Sequence, residues 1–269
     1  FSYIFIMKYI TITVLLQNDE RERNYDMNSI RGYRARIGLI YIASAYAMDV
    51  EFQLMAPAGV TTHTTRVKLS DDPSHFTAED LIALEGRTLE ATDIIAQAPL
   101  QAIAFGCTSG SFVNGPAYDQ KLRDQMTEIA KIPCTTTSHA VVQALQVLQV
   151  KKIAIATPYT EEVNERAATY FAAHDFQIMN LSGLGLMNDY HISKVDDETV
   201  YQMAKQVDTE DAEAIFISCT GLHTTPIIQY LENDLGKPVI TSNQATFWHT
   251  LRLSGIQDEL TKFGSLFQY

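Results

Sequence analysis

The chain has 269 residues, of which 46% are hydrophobic and 19% are charged, and this composition excludes intrinsic disorder as its main state. Its formal net charge is -12, from 20 basic and 32 acidic residues, and an acidic chain without a basic cluster is a poor ligand for nucleic acid. Three cysteines are too few, and too far apart, for a disulfide framework. We therefore expect a globular cytoplasmic protein that does not bind nucleic acid.

The first residues differ from the rest of the chain. Residues 1–16 are apolar but contain Lys8 and several threonines, and a charged run follows at residues 19–23. The apolar run is shorter than the roughly 20 residues of a membrane-spanning helix, and no clear cleavage site precedes the charged run. We interpret residues 1–33 as an extension without a role in function and expect no membrane association; a membrane anchor is the alternative.

From residue 36 onward, short apolar runs alternate with helical patterns. The apolar runs predict buried strands at residues 37–41, 102–105, 153–156 and 214–217. The helical patterns cover residues 77–98, 117–130, 163–174 and 199–207, and Thr77 followed by acidic residues is a typical helix start. Strands that alternate with helices predict an α/β fold with a mostly parallel sheet.

The two halves of this region repeat each other. Residues 102–108 match residues 214–220, and residues 132–138 match residues 237–243, in the same order and at a nearly constant offset. The repeat predicts two similar Rossmann-like (flavodoxin-like) lobes, related by a pseudo-twofold, with the active site in the cleft between them. We assign residues 34–145 to the first lobe and residues 146–239 to the second.

Cys107 and Cys219 occupy matching positions in the repeat, each just after an apolar strand and before a turn rich in Thr, Ser or Gly. Ligands bind at the carboxyl ends of parallel strands, so the two lobes would place one thiol on each side of the cleft. Turn N–H groups can lower a thiol pKa toward neutrality, which would suit proton transfer from two sides. The alternative is that both are buried apolar residues, the usual fate of a free cysteine. Cys134 has no cysteine partner in the repeat, and we expect it in the core.

A family resemblance follows from motifs in a fixed order between about residues 36 and 253. They are Cys107-Thr-Ser-Gly-Ser, Thr157-Pro-Tyr159 with Val163-Asn164-Glu-Arg166, and Ser218-Cys219-Thr-Gly; residues 55–60 also belong to the pattern. The chain resembles the aspartate/glutamate racemase superfamily, in the branch of maleate cis-trans isomerases, arylmalonate decarboxylases and ectoine-utilisation proteins. The resemblance implies that the C-terminal helix returns to the first lobe, which therefore consists of residues 34–145 plus 240–269.

The resemblance implies roles for individual residues. Cys107 and Cys219 match the paired catalytic cysteines, whereas the decarboxylases have glycine at the first position. The implied substrate-binding residues are Thr108, Ser109, Tyr159, Asn188, Thr220 and Gly221, with Asp189 as the alternative to Asn188. Ala45 stands where the isomerases have a substrate-binding asparagine, which puts strict maleate specificity in doubt.

Three functions remain open at this point. The first is a cofactor-independent isomerase or racemase that acts on a small carboxylate or dicarboxylate through Cys107 and Cys219. The second is a decarboxylase, a lyase that uses Cys219 alone, and the third is a non-catalytic small-molecule binding protein. No His, Cys and Asp spacing indicates a metal site, and no dinucleotide fingerprint or P-loop is present, so we expect no cofactor. We also expect a homo-oligomer.

Overall fold

The computed structural model describes residues 32–71, 78–186 and 188–269. The predicted extension therefore lies outside the described residues except for Gly32 and Tyr33, and so does the predicted helix start at Thr77. None of the helices in the described ranges is both long enough and apolar enough to cross a membrane.

The described residues form an α/β fold with two four-stranded parallel sheets. The strands are β1 Ala35–Ile42, β2 Val60–Val67, β3 Ala102–Gly106, β4 Cys134–Thr136, β5 Lys152–Thr157, β6 Gln177–Gly183, β7 Ala214–Ile217 and β8 Val239–Thr241. The helices are α1 Met48–Met55, α2 Ala78–Ile95, α3 Thr108–Phe112, α4 Pro116–Ala130, α5 Thr137–Val147, α6 Glu161–Ala172, α7 Asp189–Ile192, α8 Asp197–Val207, α9 Ile228–Leu235 and α10 Ser242–Leu253. Two 3-10 turns follow at Thr261–Phe263 and Ser265–Gln268.

The two sheets have the same strand order, which confirms the repeat. The order is β2-β1-β3-β4 in the first sheet and β6-β5-β7-β8 in the second. The four predicted strands are β1, β3, β5 and β7, and these are the interior strands of the two sheets. Their side chains are almost completely buried, because helices cover both faces of a parallel sheet, and this burial explains their uninterrupted apolar runs.

The last helix packs against the first lobe although its chain leaves the second sheet. Helix α10 directly follows β8 and packs on α5, β3 and α1. A capping box at Thr241 starts this helix, and Thr136 caps α5 at the matching place in the first half. Strand β8 spans residues 239–241, across the predicted lobe boundary, and the assignment of residues to lobes stays a prediction.

Candidate active site

The two cysteines follow equivalent strands of the two sheets. Cys107 comes directly after β3 and Cys219 comes two residues after the end of β7, at the carboxyl ends of the strands. Both residues are free thiols and are buried, with 5% and 6% exposure. A negative charge on Cys107 raises the pKa of Cys219, so the two sulfurs lie within electrostatic reach of each other.

The Cys107 turn is an ordinary helix start. Cys107 is the N-cap of α3, with extended backbone at φ -150°, and its Sγ accepts a hydrogen bond of 3.3 Å from the Gly110 N–H. Gly110 is required here because a Cβ would lie 2.9 Å from the Cys107 sulfur and 2.9 Å from Leu84. The hydroxyl of Ser109 lies 3.9 Å from the sulfur. This turn is thus supported mainly by its own residues.

The Cys219 turn has a different backbone. Cys219 has φ 109°, in the region that favours glycine and strains residues with a side chain. Its Sγ accepts a hydrogen bond of 3.3 Å from the Gly221 N–H, and its own N–H donates to the Ser242 hydroxyl at 3.0 Å. A Cβ at Gly221 would contact Ile192 at 3.1 Å, so the turn also packs closely against the end of α7.

Burial controls the protonation of both thiols. Burial is the largest cause and the negative charge of Asp189 the second, and together with the smaller effects they raise the pKa of the Cys107 thiol and of the Cys219 thiol to about 12. Hydrogen bonds from turn N–H groups act in the opposite direction but are the smaller effect. The expected pKa near neutrality is therefore wrong for the unliganded cleft, because desolvation outweighs the turn N–H groups. Both thiols are protonated at neutral pH.

One hydroxyl group connects the two cysteine turns. The Ser242 Oγ, at the start of α10, accepts hydrogen bonds of 3.0 Å from the Thr108 hydroxyl and 3.0 Å from the Cys219 N–H. Tyr41, at the end of β1, donates from its hydroxyl to the Thr220 carbonyl at 2.8 Å. Ser242 and Tyr41 are far from Cys219 in the sequence, and their hydrogen bonds connect α10 and β1 to the Cys219 turn. These bonds therefore fix the position of one thiol relative to the other.

A buried carboxylate holds the segment after Cys219. Glu51, on α1, is 1% exposed and accepts hydrogen bonds from the backbone N–H groups of Thr224 at 2.5 Å and Thr225 at 2.7 Å. It also accepts from both threonine hydroxyls at 3.1 Å and from the Asn243 amide at 2.6 Å. Five donors satisfy the charge of this buried group without a cation.

Three buried hydroxyls near Cys219 make no hydrogen bond of good geometry within the described residues. The Tyr159 hydroxyl lies beside Ser218 and Cys219, but no described residue completes a well-formed hydrogen bond with it. The hydroxyls of Ser218 and Ser193 are likewise unpartnered among the described residues. Ser193 lies in the same area, since its Oγ would be 3.5 Å from a Cβ at Gly221. Buried hydroxyls nearly always have a partner, so this group could receive a polar ligand.

The other predicted binding residues have mixed surroundings. The Thr108 hydroxyl donates to Ser242, and the Thr220 hydroxyl donates to the Gly106 carbonyl at 3.4 Å. Asn188 is the N-cap of α7: its Oδ1 accepts from the His191 N–H at 2.9 Å. The next residue, Asp189, is the one whose charge acts on both thiols, and the Ser44 hydroxyl donates to its Oδ2 at 3.0 Å.

Sequence reasoning missed four residues of this region: Ser242, Glu51, Tyr41 and Ser193. Ser242 lies in residues 237–243, which repeat residues 132–138, and this matching position was a usable signal. Glu51 and Ser193 had no such signal. In the described ranges, no three His, Cys, Asp or Glu side chains gather as metal ligands would.

Comparison with known proteins shows the family of this chain. The family model of arylmalonate decarboxylase matches residues 74–267, and the chain belongs to this family. Arylmalonate decarboxylase of Bordetella bronchiseptica is 36% identical over 150 residues, which are 55% of this chain and 62% of that enzyme. The aligned stretch thus spans less than two thirds of the relative's length.

Solved structures extend the similarity to most of the chain. A double mutant of arylmalonate decarboxylase in its liganded form superposes with a TM-score of 0.80 and 27% identity, covering 87% of this chain and 99% of that one. The Nocardia farcinica maleate cis-trans isomerase, a Cys-to-Ser mutant with a covalently bound succinylcysteine intermediate, has a TM-score of 0.81 and 21% identity. It covers 87% of this chain and 98% of its own. The homologues are therefore enzymes with this fold.

Proposed function

We propose that the protein is a cofactor-independent isomerase or racemase of a small carboxylic acid, with Cys107 and Cys219 as the reacting pair. The observation that carries the proposal is the placement of two buried thiols after equivalent strands, within electrostatic reach of each other. The covalent succinylcysteine in the Nocardia farcinica isomerase supports cysteine chemistry in this fold.

For an α-substituted acid, one thiolate removes the α-proton and the opposite thiol donates a proton to the other face. The S–H bond of the base forms as the C–H bond breaks, and the electron pair is held as an enediolate. Because both thiols are protonated at neutral pH, the reactive form is the minor one that has lost a single proton. For a maleate-like substrate, the thiolate instead adds to the double bond, the new single bond rotates, and elimination follows.

The unpartnered hydroxyls near Cys219 are the donors that would bind the substrate carboxylate. Tyr159, Ser218 and Ser193 can donate to a carboxylate next to Cys219, and donors in a buried site stabilise the developing enediolate charge. The roles that the resemblance implied for Thr108, Ser109, Asn188, Thr220 and Gly221 remain proposals. The engaged hydroxyls of Thr108 and Thr220 favour a positioning role for these two residues.

A lyase is the second candidate, and the relation to the Bordetella bronchiseptica arylmalonate decarboxylase favours it. In that case decarboxylation of a malonate-type acid leaves an enediolate, and only Cys219 donates the proton that completes the product. Release of carbon dioxide separates this reaction from the first.

The test compares Cys107→Ser, Cys219→Ser and the double variant with wild type. Small mono- and dicarboxylates are incubated in deuterated water and followed by NMR. We expect each single variant to lose at least about a thousandfold in turnover, and the double variant to be little worse, because the two thiols act as one unit. Cys134→Ser is the matched control, since this buried thiol bonds the Ile132 carbonyl at 3.5 Å and Thr127, and it lies at the start of β4, whereas Cys107 follows the end of the neighbouring parallel strand.

The outcomes separate the candidates. Normal turnover in Cys107→Ser with none in Cys219→Ser would replace the isomerase by the lyase. Binding without turnover in wild type, unchanged when both cysteines are replaced, would point to the non-catalytic binding protein.

A further inference from the structure

Asp189 introduces a negative charge into the cleft that the reaction does not require. It is the first residue of α7, it is partly buried, and its charge raises the pKa of both cysteine thiols. Ile192 of the same helix would lie 3.1 Å from a Cβ at Gly221, so the helix that carries Asp189 packs against the Cys219 turn. The proposed chemistry uses two thiols and neutral donors, so this carboxylate needs a separate explanation.

No described cation compensates this charge. The Ser44 hydroxyl is the donor that the described residues supply, at 3.0 Å, and burial is the largest influence on the Asp189 pKa, which it raises. Neither Asp189 nor the two thiols has a described Lys, Arg or His among the charges that act on it. Arg66 donates to the carbonyls of Ile42 and Ala45, on either side of Ser44, and its ion-pair partner is Asp49.

Within the described residues, the loop after β1 offers Asp189 one neutral donor and no cation. Ser44 directs its hydroxyl hydrogen to Asp189, and the next residue, Ala45, is buried and has a methyl side chain. The unpartnered hydroxyls that suit a carboxylate lie on the Cys219 side, around Tyr159 and Ser218. The cleft is thus asymmetric, with neutral donors at one place and an acceptor carboxylate at another.

We infer that Asp189 determines substrate specificity by excluding a second carboxylate, so that the substrate is a monocarboxylic acid whose other polar group donates a hydrogen bond. The inference rests on the proposed function only in placing the substrate between the thiols. Two anions in a partly buried site repel each other, whereas an amide, hydroxyl or ammonium group donates to the free lone pairs of Asp189. We assign this role to Asp189 and not to Asn188, because the side-chain oxygen of Asn188 already accepts the hydrogen bond that caps α7.

The test measures binding and does not depend on turnover. Isothermal titration at pH 8 gives Kd values of the full chain for succinate and for succinamate, which differ only in having a carboxylate or an amide at one end. We expect wild type to bind succinamate about tenfold or more tightly than succinate. In Asp189→Asn, succinate should gain about tenfold or more in affinity, and the ratio should approach one.

Two variants serve as controls. Asp211→Asn removes an exposed acid that precedes β7, at the other end of the sheet, and should leave the ratio at the wild-type value. Ser44→Ala keeps the charge of Asp189 but removes its donor, and should still disfavour succinate. Equal affinities in wild type, an unchanged ratio in Asp189→Asn, or no binding of either ligand would each overturn the inference. A protein that discriminates as expected but turns over no carboxylate would keep this inference and lose the proposed enzyme activity.

Discussion

The Cys107 turn and the Cys219 turn occupy matching positions in the repeat, yet they are stabilised in different ways. Cys107 has an extended backbone and caps its own short helix, so the sulfur is positioned by residues next to it. Cys219 has a strained φ of 109°, and its turn is held by Tyr41, Glu51 and Ser242 from distant parts of the chain. Strain of this kind persists only where the surroundings over-determine the conformation. The two halves of the repeat therefore share the position of the thiol but differ in the contacts that stabilise its turn.

The largest expected effect on the difference between the two turns comes from removing the Glu51 carboxylate, which holds the segment after Cys219. Glu51→Ala leaves two buried backbone N–H groups without an acceptor and removes one of the two acceptors of the Asn243 amide, and we expect a loss of about 3 kcal/mol or more in unfolding free energy. Urea denaturation measures the loss. Amide hydrogen exchange should increase in residues 219–226 and remain unchanged in residues 107–113.

The control for this variant is Glu90→Ala, which removes an exposed acid on α2 and should change stability by less than about 0.5 kcal/mol. Equal increases in exchange at both cysteine turns would show that the Cys107 turn also depends on contacts from elsewhere.

A smaller effect is expected at the hydroxyl beside Cys219. Tyr159→Phe removes an unpartnered hydroxyl, so folding should lose little, while a bound carboxylate should lose one charge-assisted hydrogen bond. We expect kcat/KM on the accepted substrate to fall about ten- to hundredfold. Steady-state kinetics and thermal melting are measured on the same samples.

Tyr170→Phe provides the matched comparison in the same fold. Its hydroxyl donates to the buried Asp119 at 3.0 Å, so this variant should lose about 1.5–3 kcal/mol of stability and keep its kcat/KM. If Tyr159→Phe instead lost stability and kept its activity, the Cys219 side would not be the carboxylate end of the cleft.

The smallest effect concerns the backbone itself. At Cys219, glycine should be more stable than alanine by about 1 kcal/mol, because alanine keeps a Cβ at a φ of 109°. At Cys107, where φ is -150°, alanine should be more stable than glycine by up to about 1 kcal/mol. The four variants are compared by chemical denaturation, and the same order at both positions would remove the proposed difference between the turns.

The sequence was sufficient for the interior of both sheets and insufficient for their edges. Strands β1, β3, β5 and β7 are buried apolar runs that stand out from the helices around them. Strand β2 is Val-Thr-Thr-His-Thr-Thr-Arg-Val, and β6 is half-exposed, so neither presents an apolar run. Both are edge strands, where solvent replaces one neighbour and polar residues are tolerated.

Only those residues of the candidate site that are placed by the sequence repeat were predictable. Cys107 and Cys219 come after interior strands, and their positions follow from the repeat. The contacts that fix them join residues far apart: 134 positions separate Thr108 from Ser242, and 179 positions separate Tyr41 from Thr220. The thiol pKa was also beyond sequence reasoning, because its main cause is desolvation by the packed lobes.

The position of α10 has a consequence for the order in which this protein can fold. A ribosome releases the strands and helices of the first sheet before β5–β8, and α10 follows β8. Until α10 is released, the face formed by α5, β3 and α1 lacks its covering helix, and the hydroxyl pair of Thr246 and Thr137 cannot form. The packing of the first lobe is therefore completed only after the second sheet has been synthesised, and the serine that links the two cysteine turns arrives in the same step.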